Sequence, residues 1–280
     1  IVTNISAAER IFEILDTEPE ISDSKDAYGL PEIKGAVEFD EVTFSYSDKA
    51  DSNVLQNVSF SVKPGENIAL VGPTGAGKTT IVSLISRFYE VSSGRILIDG
   101  NDISKVSIES LRSQMGVMTQ DNFLFSGTIK DNIRYGKLDA TDEEIINAAK
   151  AVHAHDFIMK LEKGYDTEIS ERGSRLSNGQ RQLLAFARTM VSNPGILILD
   201  EATSSIDTHT EILVQKGIEA MLKGRTSFVI AHRLSTIKNA NRIFVIDKGG
   251  IIESGSHDEL MAKKGAYYEL YAAQFKAVND

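Results

Sequence analysis

The chain contains two different patterns of apolar residues. Between residues 37 and 62 apolar and polar positions alternate, which predicts short half-buried strands of an antiparallel sheet. Residues 68–71, 196–199 and 227–230 are instead continuously apolar, which is typical of buried parallel strands. Helical periodicity predicts a helix over 77–89 and a mostly helical stretch over 141–192. The pattern therefore predicts an α/β fold with a parallel sheet, an antiparallel β flank and a helical insertion.

The two ends of the chain add smaller elements. Residues 5–16 have the period of an amphipathic helix, with Ser6 and Glu9 spaced as a capping box. The polar, aperiodic stretch 17–35 predicts a linker, so we expect the globular domain to span 36–280, with a helical subdomain at about 121–193. A hairpin is predicted over 242–254, and Ser256 is predicted to open a last helix.

Composition excludes several classes of site. The 280 residues include no cysteine, which excludes disulfides, thiolate zinc sites and cysteine catalysis. The net charge of -10 disfavours broad nucleic-acid binding, because such proteins usually have a basic surface. No apolar run approaches the ~18 residues of a membrane helix, and we find no signal peptide. Since the chain begins at Ile1, we expect it to be part of a longer protein.

A phosphate-binding loop is the strongest chemical signal. Residues 72–79 fit G-x-x-x-x-G-K-[ST] and lie between a predicted buried strand and a predicted helix. Inward-turned backbone N–H groups would surround an anionic phosphate, Lys78 would reach the β- and γ-phosphates, and the Thr79 hydroxyl would coordinate Mg²⁺. A Rossmann dinucleotide site is disfavoured, because Thr80 stands where a third glycine is needed. The predicted nucleotide-binding residues are Gly72, Pro73, Thr74, Gly75, Ala76, Gly77, Lys78, Thr79 and Thr80.

Two adjacent carboxylates follow the buried strand at 196–199. Ligands of open α/β sheets bind at the C-terminal ends of the strands, so Asp200 and Glu201 are predicted to face the phosphate site. We expect Asp200 to hold the Mg²⁺ and Glu201 to act as the general base for the attacking water.

The segment 176–180, Leu-Ser-Asn-Gly-Gln, identifies a family. It ends 20 residues before Asp200 and resembles the LSGGQ signature of ATP-binding cassette proteins. The resemblance extends from about Val37 to the C-terminus. It implies a P-loop NTPase (RecA-like) core with an antiparallel β subdomain and an inserted α-helical subdomain, and it implies ATP and Mg²⁺ as cofactors.

The resemblance also implies roles for single residues. Tyr46 matches the aromatic residue that stacks on adenine, and Gln120 matches the glutamine that contacts the metal and the attacking water. Asp207 resembles the D-loop aspartate, and His232 resembles the switch histidine that holds the γ-phosphate. His153 and His155, in contrast, are expected to have surface or packing roles, because they have no metal-site partners.

Several segments resemble the exporter branch of this family. Residues 6–16 resemble the cytoplasmic end of a last transmembrane helix, 168–173 the X-loop that faces the coupling helices, and 124–133 a further exporter segment. The resemblance implies a head-to-tail dimer at the cytoplasmic face of a membrane, in which Ser177, Gly179 and Gln180 serve the partner's ATP. Asn178 and Ser170 replace glycines of the family pattern.

Some alternatives remain open at this stage. The second cassette is either an identical or a different chain, and Asn178 raises the weight of a different one. A soluble cassette that acts on DNA or ribosomes, an importer ATPase and a regulatory cassette that binds ATP without turnover are the rival functions. The acidic charge disfavours the first, the N-terminal helix disfavours the second, and the intact pair Glu201 and His232 disfavours the third.

Overall fold

The computed structural model describes residues 2–47, 53–119, 123–170, 176–201 and 208–275. The strands are β1 (Val37–Ser45), β2 (Asn53–Val62), β3 (Asn67–Val71), β4 (Ser93–Ile98), β5 (Asn101–Asp102), β6 (Met115–Met118), β7 (Gly127–Thr128), β8 (Glu168–Ile169), β9 (Ile196–Asp200), β10 (Thr226–Ile230), β11 (Arg242–Asp247) and β12 (Gly250–Gly255). The helices are α1 (Val2–Leu15), α2 (Lys78–Ile85), α3 (Ile108–Arg112), α4 (Ile129–Arg134), α5 (Asp142–Ala151), α6 (His155–Met159), α7 (Asn178–Met190), α8 (Thr208–Leu222), α9 (Leu234–Asn239), α10 (His257–Lys263) and α11 (Ala266–Phe275).

A central mixed sheet carries the fold. Its order is β12-β11-β3-β10-β9-β6, in which β12 is antiparallel to β11 and the other neighbours are parallel. A second, antiparallel sheet has the order β2-β1-β4-β5. The predicted parallel core, antiparallel flank and terminal hairpin are thus confirmed. A continuous apolar run corresponds to a strand that is buried on both faces, and an alternating pattern to a strand that is buried on one face.

Alternate residues of the central strands enter two separate hydrophobic cores. Ile68 and Leu70 of β3 pack with α2 and the antiparallel sheet, whereas Ala69 and Val71 of the same strand pack with the helical side. The helical side is built around α7, which packs against α4, α5 and α8. Continuous apolar strands are therefore needed in the centre, where both faces of the sheet are covered.

The P-loop helix is shorter than predicted. The helix expected over 77–89 ends at Ile85, because Arg87 adopts a left-handed backbone with a φ of 52°. The N–H of Phe88 donates to the carbonyl of Ser83, and the N–H of Arg87 donates to that of Leu84. These two bonds form a Schellman motif, which satisfies the terminal carbonyls and stops the helix.

Two further helix boundaries differ from the sequence prediction. Helix α1 begins at Val2, so Ser6 lies inside the helix and does not cap it. The last helix is in fact two, α10 and α11, because Lys264 takes a left-handed backbone with a φ of 53° directly after α10. The predicted cap Ser256 is confirmed: its hydroxyl accepts from the N–H of Glu259.

The predicted linker contacts the domain from Asp23 onward, where the carboxylate accepts from the N–H of Ile108 at 2.8 Å. Leu30 and Ile33 are buried, and their N–H groups donate to Ser110 and Gln114. The carboxylate of Asp99 accepts from the N–H groups of residues 34–36. Ordered packing therefore begins several residues before the expected boundary at 36, because isolated apolar residues in a polar stretch give no periodic signal.

Candidate functional site

The P-loop joins the C-terminal end of β3 to the N-terminus of α2. Three of its glycines have positive φ angles: 150° at Gly72, 79° at Gly75 and 108° at Gly77. A Cβ on Gly72 would lie 2.1 Å from the carbonyl oxygen of Ile246 in β11. The loop thus needs glycine for its conformation and, at Gly72, for its close approach to the neighbouring strand.

Lys78 lies across this loop. Its ammonium donates to the carbonyl of Gly72 at 2.7 Å and to that of Pro73 at 2.8 Å. Burial lowers the pKa of Lys78, and the charge of Asp200 opposes that shift. The lysine therefore lies across the loop, close enough to Asp200, the last residue of β9, for their charges to interact.

The sheet register brings the second half of the site to the same edge. Ile230 of β10 pairs with Asp200 on one side and with Leu70 of β3 on the other. Burial raises the pKa of the half-buried Asp200, whereas the nearby His232 and Lys78 lower it. The predicted grouping of Lys78, Asp200 and His232 at one sheet edge is therefore what the structure contains.

Glu201 follows Asp200 and is 1% exposed. Its Oε2 accepts from the N–H groups of His232 at 2.9 Å and Arg233 at 3.0 Å. Its Oε1 accepts from the hydroxyl of Thr236 at 2.5 Å. The carboxylate that we expected to face a water is thus held at the start of α9, beside the exposed His232 side chain.

Tyr46 lies beside the first turn of the P-loop helix α2. Its ring is 53% exposed, and it meets Phe44 and Tyr89 edge-on, with centroid distances of 4.8 and 5.1 Å. Its hydroxyl lies 2.9 Å from that of Thr80, which is buried in α2. Tyr46 therefore presents an open aromatic face next to the phosphate-binding loop.

The signature segment forms the N-terminus of α7. Ser177 is the N-cap: its hydroxyl accepts from the N–H of Gln180, and the Gln180 side chain accepts from the N–H of Ser177. Asn178 is the first helical residue and accepts a hydrogen bond from Arg181. The left-handed backbone that would make glycine necessary does not occur there, so Asn178 fits without strain; Gly179, next to it, is buried.

Some predicted residues lie outside the described part of the chain. These are Gln120 and Asp207, together with 171–173 of the predicted X-loop. The structure describes the rest of the predicted site, in which the Thr79 side chain is exposed at the start of α2. Sequence reasoning missed Thr236, which lies in α9 four residues after His232 and gave no signal in the sequence.

His155 and His153 were expected to have packing or surface roles, and the structure gives them one of each. Nδ1 of His155 lies 2.8 Å from the hydroxyl of Tyr165, and His153 is exposed. Among the described residues, no three His, Asp or Glu side chains come together as a metal-binding group. None of the helices in the described ranges combines the length and the apolar character that a membrane crossing requires.

Comparison with known proteins agrees with this geometry. The family profile described as "ABC transporter" matches residues 55–204. The chain belongs to the ABC transporter family. It is therefore an ATP-binding domain with the P-loop NTPase fold, and the predicted fold class and family are confirmed.

Several similar proteins are named as a flippase, a transporter or an exporter. The chain is 50% identical over 272 residues to an ATP-dependent lipid A-core flippase of Syntrophus aciditrophicus. The match covers 97% of this chain and 45% of that protein. It is 48% identical over 271 residues to a fatty acid ABC transporter ATP-binding/permease protein of Mycobacterium bovis, covering 97% and 42%. A solved bacterial Atm1-family ABC exporter with ATP bound superposes with a TM-score of 0.88 at 44% identity, covering 98% and 48%. The chain spans about half the length of these relatives.

Proposed function

We propose that this domain binds and hydrolyses ATP between two cassettes and that this cycle powers export across a membrane. The observation that carries the proposal is the meeting of Lys78, Asp200 and His232 at the C-terminal ends of β3, β9 and β10. In open α/β sheets that edge is where ligands bind.

The nucleotide would lie along the P-loop with its base at Tyr46. The exposed ring of Tyr46 offers a stacking surface for adenine. The backbone N–H groups of the P-loop and the start of α2 would surround the phosphates, and the ammonium of Lys78 would exchange its two loop carbonyls for phosphate oxygens. Pro73, Thr74 and Gly75 are exposed at this loop and therefore accessible to the nucleotide.

The residues around Lys78 fit a bound magnesium ion. Thr79 offers an exposed hydroxyl and Asp200 a carboxylate on the neighbouring strand, which are the oxygen donors that Mg²⁺ prefers. Gln120 is proposed as a further metal and water contact. The ion would neutralise charge on the β- and γ-phosphates. Thr79 directly follows Lys78, and Asp200 interacts with the charge of Lys78. The metal and the ammonium would therefore both contact the phosphate oxygens.

Glu201 and His232 are proposed to carry the chemical step. Glu201 takes one proton from the attacking water, whose oxygen bonds to the γ-phosphorus while the bond to the bridging oxygen of ADP breaks. The exposed imidazole of His232 would donate a hydrogen bond to the γ-phosphate and orient the water. The products are ADP and inorganic phosphate.

The site would be completed by a second cassette. The N-terminus of the 13-residue helix α7, with Ser177, Gly179 and Gln180, would contact the γ-phosphate held by the partner's P-loop. Asp207 is proposed to lie at the same dimer contact.

The rest of the transporter is proposed to be a membrane-embedded half. Its coupling helices would contact this domain at the cytoplasmic face of a membrane, and closing and opening of the dimer would switch it between two forms. The exporter relatives favour this function over the DNA-, ribosome- and importer-associated alternatives.

A mixing experiment tests the shared site. Lys78→Ala should inactivate the P-loop of one chain, and Ser177→Arg should block the signature of another. Each variant alone should release little phosphate from MgATP. A mixture should regain activity, up to roughly a quarter of the wild-type rate per chain, because the mixed dimers contain one intact site each. No recovery on mixing, in a chain that is active as wild type, would contradict the head-to-tail arrangement.

A further inference from the structure

The carboxylate of Glu201 accepts three hydrogen bonds from residues 232–236. Oε2 accepts two backbone N–H donors, from His232 and Arg233, and Oε1 accepts the hydroxyl of Thr236 at 2.5 Å. Both residues of the side-chain pair are buried, with Glu201 at 1% and Thr236 at 4% exposure. The Glu201 carboxylate is therefore enclosed by the start of α9 and hardly reachable by solvent.

The segment that holds Glu201 is itself anchored on several sides. The N–H of Glu201 donates to the carbonyl of Ile230, which fixes the backbone of Glu201 against β10. The guanidinium of Arg233 lies 3.3 Å from Oε1 of Glu211 in α8. Ile237, directly after Thr236, is 1% exposed in the core of the helical side. Thr236 thus keeps its place while the exposed His232 side chain faces the site.

A base that receives a proton from water must offer that water a carboxylate oxygen. The two backbone donors both engage Oε2, so only the Thr236 hydroxyl occupies Oε1. A hydrogen bond to a charged group is among the stronger ones in proteins, so the Thr236 hydroxyl competes with the attacking water for Oε1.

We propose that Thr236 is a positioning residue that holds Glu201 in a withdrawn position and thereby restrains hydrolysis until the site closes. The proposal rests on the proposed role of Glu201 as general base. Turnover then requires the Glu201 carboxylate to exchange the hydroxyl of Thr236 for the attacking water. No covalent step is added to the reaction; the contact changes only how often the base is available.

The test compares steady-state phosphate release by the 280-residue chain and its variants. Thr236→Val removes the hydroxyl at nearly constant shape, and it should raise kcat about three- to tenfold with an unchanged KM for ATP. Thr236→Ser keeps a hydroxyl and should stay within about twofold of wild type. The double variant Glu201→Gln/Thr236→Val should be as slow as Glu201→Gln, because the gain passes through the carboxylate.

A matched control variant distinguishes a restraint on Glu201 from a general loss of stability. Thr226 is equally buried at the far end of β10, where its hydroxyl donates to Gly35 and accepts from the N–H of Gly65. Thr226→Val should lower the unfolding temperature without raising kcat per folded chain. Thermal unfolding of Thr236→Val, followed by circular dichroism, checks that this variant is folded at the assay temperature.

The outcomes distinguish this inference from the proposed function. Unchanged or lower kcat in folded Thr236→Val, or a gain that Thr226→Val reproduces, overturns the restraint and leaves the role of Glu201 intact. Undiminished turnover in Glu201→Gln alone would instead overturn the general-base assignment on which the inference rests.

Discussion

The hydroxyl of Tyr46 lies 2.9 Å from the hydroxyl of Thr80. Tyr46 directly follows β1, whereas Thr80 is buried in the P-loop helix. This hydrogen bond links the proposed adenine surface to the helix that begins at the phosphates. The ring and the hydroxyl of Tyr46 should therefore make separate contributions to the affinity for ATP.

Replacing Tyr46 should reveal both contributions. Tyr46→Ala removes the stacking surface, which is worth ~1–3 kcal/mol per base and raises the Kd for ATP roughly five- to hundredfold. Tyr46→Phe keeps the ring and loses only the bond to Thr80, so its Kd should rise no more than about fivefold. Isothermal titration calorimetry with ATP measures both.

Tyr135 supplies the control for the Tyr46 variants. It is 59% exposed, and its ring contacts Phe125 with a centroid distance of 4.5 Å. Tyr135→Ala should leave the Kd for ATP unchanged. Equal weakening by the Phe and Ala variants of Tyr46 would contradict adenine stacking, because the ring would then contribute nothing of its own.

The P-loop glycines should differ in their tolerance of a methyl group. Gly72→Ala places a Cβ against the carbonyl of Ile246, so we expect it to lower the free energy of unfolding by about 2–4 kcal/mol. At Gly75 no atom lies within 4 Å of an added Cβ, and only its φ of 79° is costly, by about 1–2 kcal/mol. Urea unfolding measures both variants; equal losses would refute the close approach to β11.

The carboxylate of Asp200 should lower the stability of the nucleotide-free chain, although hydrolysis needs it. Burial raises its pKa in the folded chain above the ordinary value of 3.8, so the ionised carboxylate is unfavourable at neutral pH. Asp200→Asn should therefore raise the melting temperature of the nucleotide-free chain at pH 7 by roughly 1–3 °C, while it abolishes hydrolysis of MgATP.

The pH dependence of this gain has a definite sign. Because the folded pKa of Asp200 is raised, wild-type stability falls relative to Asp200→Asn as pH rises through that folded pKa. As pH falls toward 3.8, the wild-type carboxyl is protonated and the difference should vanish. Melting curves between pH 4 and pH 8 test this; a gain that grows toward acid would contradict it.

The sequence was enough to predict what depends on local pattern. The continuous apolar strands before Gly72 and Asp200, and the helix cap at Ser256, follow from spacing alone and are confirmed. So is the predicted grouping of Lys78 with Asp200, because parallel strands place their C-terminal ends at one edge.

What the sequence did not predict depends on contacts between distant residues. The end of α2 is set by the left-handed Arg87, whose guanidinium is buried against the carbonyl of Val106. The withdrawn Glu201 depends on the hydroxyl of Thr236, 35 residues away. A tertiary hydrogen bond of this kind leaves no period in the sequence, so only the folded chain reveals it.

The central claim is that Glu201 is the base for ATP hydrolysis at a site shared by two chains. The most direct measurement is phosphate release from MgATP by Glu201→Gln, with size-exclusion chromatography of the same sample. We expect turnover of the variant to fall about 10²–10⁴-fold. We also expect MgATP to hold the variant as a stable dimer. Near-normal turnover, or a variant that stays monomeric with bound MgATP, would contradict it.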